Sequence, residues 1–231
     1  MSETEISLRR GWTTGACATA AAKAAFSALI TGQFPDPVEI TLPKGQRVSF
    51  SLAKEHLAET SAMAAVIKDA GDDPDVTHGA LVEVTISIDQ SSSGINFRSG
   101  EGVGTVTKVG LPIGVGEPAI NPVPREMIKN AILEVSKTNK KQVGVIVEIS
   151  IPGGEEIALK TWNPRLGIVG GLSILGTTGI VIPFSCSAWI HSIHRGIDVA
   201  RAAGVNHVGA CTGSTSETAV RQKYELPESS I

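Results

Sequence analysis

Residues 13-TTGACATAAAKAAFSALITG-32 decide the fold. Ala18, Ala21, Ala22, Ala25, Phe26 and Leu29 recur at the spacing of one helix face. Thr13 or Thr14 supplies an N-cap hydroxyl and Gly32 stands past the end. The segment predicts a helix whose alanines let other elements come close. Downstream, Val38, Ile40 and Leu42 alternate with polar residues, Lys44-Gly45 marks a turn, and Val48, Phe50 and Leu52 alternate again, which predicts a β-hairpin. The chain then stays rich in strand patterns. Val82 to Ile88 and Val143 to Ile151 repeat with period two, and Pro152-Gly153-Gly154 turns the chain before Ile157 and Leu159. Between them a helix opens at Pro124, places Met127, Ile128, Ala131, Ile132 and Val135 on one face, and gathers lysines at its end.

The pattern changes near Pro183. Ser185 or Ser187 caps a helix whose apolar stripe is Trp189, Ile190, Ile193, Ile197 and Ala200, and Gly204 ends it. A short strand over Val205 to Ala210 is then expected to run through Thr212-Gly213-Ser214 into a helix from Glu217. The order predicts an α+β N-terminal domain over residues 1–183, followed by the beginning of a Rossmann-like α/β domain over 184–231.

A formal net charge of −3 without runs of like sign gives no reason to expect nucleic acid or an anionic membrane as partner. The N-terminal MSETEISLRR is polar and no apolar run reaches membrane-spanning length, so a cytoplasmic protein is expected. Cys17, Cys186 and Cys211 are odd in number and widely spaced, unlike a disulfide framework or a zinc knuckle.

Several stretches hold more glycine and acid than a plain scaffold needs. Lys68 to Gly79 contains Asp69, Asp72, Asp73, Asp75 and His78 around Pro74. This set suits a divalent cation, a general base with an imidazole partner, or a loop knitted by Asx turns. In Gly100 to Lys108, glycine at alternate positions 100, 102 and 104 would bare one face of a strand, either for a flat ligand or for close backbone packing. It is neither a dinucleotide fingerprint nor a P-loop. Asn121 with Arg125, and Lys160 to Gly167 with Trp162, Asn163 and Arg165, place Asn-Pro beside an arginine, which suits carboxylate pairing and ring stacking or simple loop anchoring. Gly170 to Gly179 is a glycine-rich stretch that either packs closely or offers Thr177 and Thr178 to a ligand. His191, His194 and Asp198 share a helix face that reads as a metal site or, preferred, as a solvated polar face. The Thr212 to Glu217 turn could hold an anion at a helix N-terminus.

These same residues carry a resemblance. Arg10-Gly11-Trp12-Thr13-Thr14-Gly15, Lys68 to Gly79, Gly100 to Lys108, Gly116 to Pro122, Lys160 to Gly167 and Ser173 to Thr177 resemble, in order, the signature blocks of the CbiD family of cobalt-precorrin-5B carbon-1 methyltransferases. Thr212 to Glu217 resembles that family's later strand-to-helix turn. The resemblance implies methyl transfer from S-adenosyl-L-methionine to a ring carbon of a tetrapyrrole whose cobalt is carried by the substrate, with no metal held by the protein. It implies Arg10, Lys108, Arg125, Lys160 and Arg165 as anchors for substrate carboxylates, with Thr13, Thr14, Gly102, Gly104, Asn121 and Asn163 beside them. One of Asp69, Asp72, Asp73, Asp75 or His78 would take the ring proton or face the sulfonium. Thr212, Gly213, Ser214 and Glu217 would bind the cosubstrate. It also implies that relatives continue in α/β sequence beyond the position of Ile231, so that the Rossmann-like half is expected to be partial and activity of the shortened chain is open. A non-catalytic tetrapyrrole carrier, an inactive truncated member, or a metal-dependent hydrolase or lyase built on the acidic loop are the alternatives, and a homo-oligomer is left open.

Overall fold

Thr13 is the cap: its Oγ1 accepts from the Ala16 amide at 3.2 Å, and Gly32 ends the helix at a φ of 83°. The computed structural model describes residues 8–226. Its elements begin with β1 (Gly11–Trp12) and α1 (Thr14–Thr31), then β2 (Val38–Thr41) and β3 (Arg47–Phe50), which form the expected hairpin. There follow β4 (Lys54–Leu57), β5 (Ser61–Ile67), β6 (Leu81–Ile88), β7 (Ile95–Ser99), β8 (Thr105–Val106) and α2 (Pro122–Asn139). The last are β9 (Val145–Ser150), α3 (Gly154–Ala158), β10 (Ile168–Val169), β11 (Ile180–Val181), α4 (Cys186–Ala202) and α5 (Ser214–Tyr224). The architecture is mixed α/β.

The main sheet has the order β4-β5-β6-β9-β7, antiparallel except where β7 runs parallel to β9. Register sets its buried face: Ala62 opposes Ile86, Ala64 opposes Val84, and Ile86 in turn opposes Val147. All five are essentially inaccessible, while Glu83, Thr85 and Glu148 on the other face are half-buried. Over the buried face lies α1, with 13 of its 18 residues buried. An amphipathic surface helix would show one apolar stripe; this one is apolar all round because α2 and the β2–β3 hairpin cover the side away from the sheet. Lys23 on α1 gives an ion pair at 2.9 Å to Glu134 on α2.

Several expectations are corrected. The helix read as opening at Pro124 starts two residues earlier, since Pro122 and Pro124 both fit its first turn, where no amide bond is needed. Gly100 to Gly104 is not a strand but a turn and bridge leading into the two-residue β8. Val205 to Ala210 forms no strand, for among the described residues no neighbouring strand offers it a ladder and isolated extended backbone gains nothing over water. The last helix begins at Ser214 rather than Glu217.

The largest correction concerns α4. Of its expected stripe, Trp189, Ile190, Ile193 and Ile197 are exposed and only Ala200 is buried, so the helix anchors through Ala200 and the adjacent Val199. The reason is local: at Gly110 an added Cβ would overlap the backbone of Asp198 and Val199 and the Ala202 methyl, so a small-residue contact fixes which side of α4 faces the body.

Gly102, at φ 67°, meets the Ile151 carbonyl and Gly154 where a Cβ would stand. Gly102→Ala therefore combines left-handed strain with overlap and should lower stability by about 3 kcal/mol. Gly116 has a φ of 87° with open space around it, so Gly116→Ala should cost about 1 kcal/mol from strain alone. Urea midpoints of the two variants check this; equal losses would refute the overlap.

Candidate functional site

The acidic loop turns out to be a knot. The Arg9 guanidinium donates to both oxygens of Asp69, the Arg9 amide donates to Asp72 Oδ2 at 2.6 Å, and the Asp72 amide returns a bond to the Arg9 carbonyl at 2.9 Å. The two strands of chain cross so closely that a Cβ on Gly11 would overlap Ala70 and one on Gly71 would overlap Arg9. Lys68, 1% exposed, donates to Asp75 and, at 2.6 Å, to the Thr77 hydroxyl. Asp73 accepts the Phe184 amide at 2.9 Å, holding that residue at a φ of 54° just before α4. His78 Nδ1 accepts from the Ala70 amide at 3.1 Å, which in the neutral ring puts the proton on Nε2.

The charges follow from these contacts. The guanidinium of Arg9 and the Gly71 amide hold the Asp69 carboxyl at about 2. Burial alone would raise Asp75, but the Lys68 ammonium and the Thr77 bonds outweigh it and leave the carboxyl below its usual value. Both are anions at neutral pH and poor proton acceptors. In α1, burial pushes the Cys17 thiol up to about 12, so it is no nucleophile.

The glycine-bared surfaces are filled by protein. Gly102 and Gly104 are buried, and the spaces beside them are taken by the Ile151 and Gly171 carbonyls and by the Ile168 side chain. The expected cations also have work inside the chain. Arg125 donates to the Ile120 carbonyl at 2.8 Å and the Pro118 carbonyl at 3.1 Å, pairs with Glu117 at 2.9 Å and covers Phe97. Lys108 lies along Gly167 and reaches the Arg165 carbonyl at 3.3 Å. Arg165 pairs with Glu217 at 2.7 Å, joining an expected substrate anchor to an expected cosubstrate residue. Arg10 and Lys160 are exposed.

In the 212–217 turn the amides of Thr212 and Gly213 both donate to the Ser216 hydroxyl, at 3.1 and 3.2 Å. Ser214 opens α5 and is exposed. Thr13 caps α1 and Thr14 is buried. Among the described residues no three His, Cys, Asp or Glu side chains are grouped to hold a metal ion.

What the chain does enclose is a cavity of about 370 Å³ between the body and α4. One wall comes from Leu111, Pro112 and Asn121, and a second from Thr161, Trp162, Asn163, Leu166 and Ile168. Ser173 and Leu175 also line it, and Trp189, His191, Ser192 and Arg195 come from α4. Asn163 holds the wall in shape: its Nδ2 donates to the Gly171 carbonyl at 3.3 Å and its Oδ1 accepts from the Ser173 hydroxyl at 3.2 Å. Of the expected substrate residues, only Asn121 and Asn163 line this space. Sequence reasoning missed the α4 contribution to this cavity, while its reading of a solvated polar face agrees with the exposure of His191 and His194. The i, i+4 spacing of His191 and Arg195 was the available signal.

Removing Asp69 tests the knot. A carboxyl whose folded value, about 2, lies below its unfolded 3.8 stabilises the fold above the higher value and ceases to do so as pH falls through the lower. Asp69→Asn should thus be less stable than wild type at neutral pH, with the gap closing between about pH 4 and pH 2 in a denaturation series. A pH-independent gap would contradict it.

Comparison with known proteins agrees on one family. The family model described as CbiD matches residues 1–183. A protein of Brucella anthropi named cobalt-precorrin-5B C(1)-methyltransferase is 62% identical over 230 residues, covering 100% of this chain and 62% of its own length. Proteins of the same name from a Bradyrhizobium species and from Brucella abortus are each 63% identical over 224 residues, with 60% and 61% of their lengths covered. The chain thus spans about three fifths of these curated relatives. Among solved structures, the 1.9 Å crystal structure of the cobalamin biosynthesis protein (cbiD) from Archaeoglobus fulgidus aligns with a TM-score of 0.59 at 30% identity, over 94% of this chain and 68% of that one.

Proposed function

The chain belongs to the CbiD family, and on that premise we propose that it acts as an S-adenosylmethionine-dependent methyltransferase, methylating carbon 1 of cobalt-precorrin-5B to give cobalt-precorrin-6A. One observation carries the reading at the level of geometry. The block around Asn121 and, some forty residues on, the neighbouring blocks Thr161 to Ile168 and Ser173 to Leu175 converge on one cavity lined by two tryptophans. These are blocks on which the family resemblance rests.

The reaction suits such a place. The bound cosubstrate supplies an electrophilic methyl on a sulfonium. Transfer breaks the sulfur–methyl bond, forms one carbon–carbon bond, leaves the electron pair on sulfur, and is balanced by loss of a ring proton. It needs alignment and a dry site more than covalent help. Leu111, Leu166, Ile168 and Leu175 give the lining its apolar surface, while Asn121 and Ser173 add polar groups. The acidic loop supports this arrangement at one remove, through the Asp73 bond that sets the entry to α4.

On this reading residues 1–183, where the family match also ends, form the α+β domain. Residues 184–231 form the opening of a Rossmann-like unit, in which 205–210 would take strand geometry only beside further strands. The free thiols Cys17, Cys186 and Cys211 support a reducing cytosolic setting, and among the described residues no helix is long and apolar enough to cross a membrane.

Mass spectrometry of cobalt-precorrin-5B incubated with the purified chain and methyl-labelled S-adenosylmethionine should show one labelled methyl per macrocycle. No label here, with label transferred by a full-length relative in parallel, would remove the activity from this chain. No label in either would end the reading.

A further inference from the structure

The cavity beside α4 is too small for both reactants. At 370 Å³ it sits near the lower end of the roughly 300–1,000 Å³ that hold compact organic ligands. A nucleoside with an amino-acid tail fits that space, whereas a four-ring macrocycle with its carboxylate arms needs roughly the upper end of the range.

Charge and aromatic content point the same way. Among the described residues no Asp or Glu lines the cavity, so no carboxylate there repels an anionic group of a ligand, and the indole faces are the surface left for its base and onium group. Trp162 and Trp189 both line it while remaining 45% and 70% exposed. Two bare indoles at one opening are the kind of surface a flat base or an onium group covers. Among the described residues Arg195 is the only lysine or arginine in the lining. It gives Asp198 one N–H at 3.2 Å, which leaves guanidinium donors for a ligand carboxylate. The rival location is already occupied by its own chain: in the 212–217 turn the Thr212 and Gly213 amides bind Ser216, and Glu217 binds Arg165.

Resting on the methyltransferase reading, we propose that this cavity is the S-adenosylmethionine site, with the adenosyl group and sulfonium against Trp162 and Trp189 and the methionyl carboxylate on Arg195. Carboxylate recognition by Arg195 is chemistry a macrocycle side chain shares, so the test separates the two sources.

Calorimetric titration of the 231-residue chain with S-adenosylhomocysteine, followed in parallel by tryptophan fluorescence, reads the site without turnover. Binding to wild type is expected, weakened about tenfold in each of Trp162→Leu and Trp189→Leu through loss of stacking on the base and in Arg195→Gln through loss of the carboxylate pair, with melting temperatures unchanged. Affinity intact in all three, or lost in Ser214→Ala instead, overturns the assignment. So does weakened binding of a polycarboxylated porphyrin, used as the macrocycle probe, with S-adenosylhomocysteine binding untouched. A folded wild-type chain that does not bind S-adenosylhomocysteine overturns it as well. The labelled-methyl assay judges the parent reading separately: methyl transfer that survives in all three variants removes this site and keeps the methyltransferase.

Discussion

Alanine at one position after another in α1 is what allows the rest of the molecule to assemble. A helix with large side chains on every face would hold the sheet and α2 apart; one with Ala16, Ala18, Ala20, Ala21, Ala22, Ala24 and Ala25 lets both close on it, and each of those residues is inaccessible to solvent. The first turn of the same helix reaches the segments that line the cavity. The Gly15 amide donates to the Leu175 carbonyl at 2.9 Å, and a Cβ there would crowd both that oxygen and Pro124. The start of α2, with Asn121 just before it, and the segment carrying Ser173 and Leu175 are therefore fixed against one residue. Cavity geometry is a consequence of how tightly a small-residue helix packs.

Dense glycine and aspartate usually invite a reading as ligand-binding surface, and in this fold much of that density holds backbone to backbone. Gly102 lies between the 151–154 turn and Gly171, and Gly11 crosses Gly71. Around these crossings the carboxylates of Asp69, Asp72, Asp73 and Asp75 bind amides, Arg9 or Lys68. A buried lysine such as Lys68 is tolerable only with partners this close, since an unpaired ammonium in the interior costs several kcal/mol. The loop thereby ties three distant pieces of chain together: the N-terminal segment, the entry to β6 and the entry to α4.

At α4 two tendencies compete, and the local contact wins. Burying three isoleucines would stabilise the chain by roughly 1.5–3 kcal/mol each, yet Ile190, Ile193 and Ile197 stay exposed. The Gly110 contact and the Ser185 cap set the helix so that Trp189, His191, Ser192 and Arg195 border the cavity, with His191 and Ser192 still exposed. The helix thereby adds Arg195, and with it a positive charge, to a cavity whose body side already carries Asn121, Thr161, Asn163 and Ser173.

By itself the sequence determined α1, the β2–β3 hairpin, the cores of β6 and β9, α2 to within two residues, and the family. Each of these depends on periodicity, capping or long ordered blocks that are local in the chain. Only the tertiary structure decided that β7 joins β9 in parallel, that Gly102 and Gly104 face protein, that Arg125 and Arg165 are paired internally, and that Trp189 and Arg195 of α4 meet at one cavity. The physical reason is common to all four. Whether a bare glycine, a charge or a helix face meets solvent, ligand or protein depends on what another part of the chain places opposite it, and spacing along one segment carries no information about that neighbour.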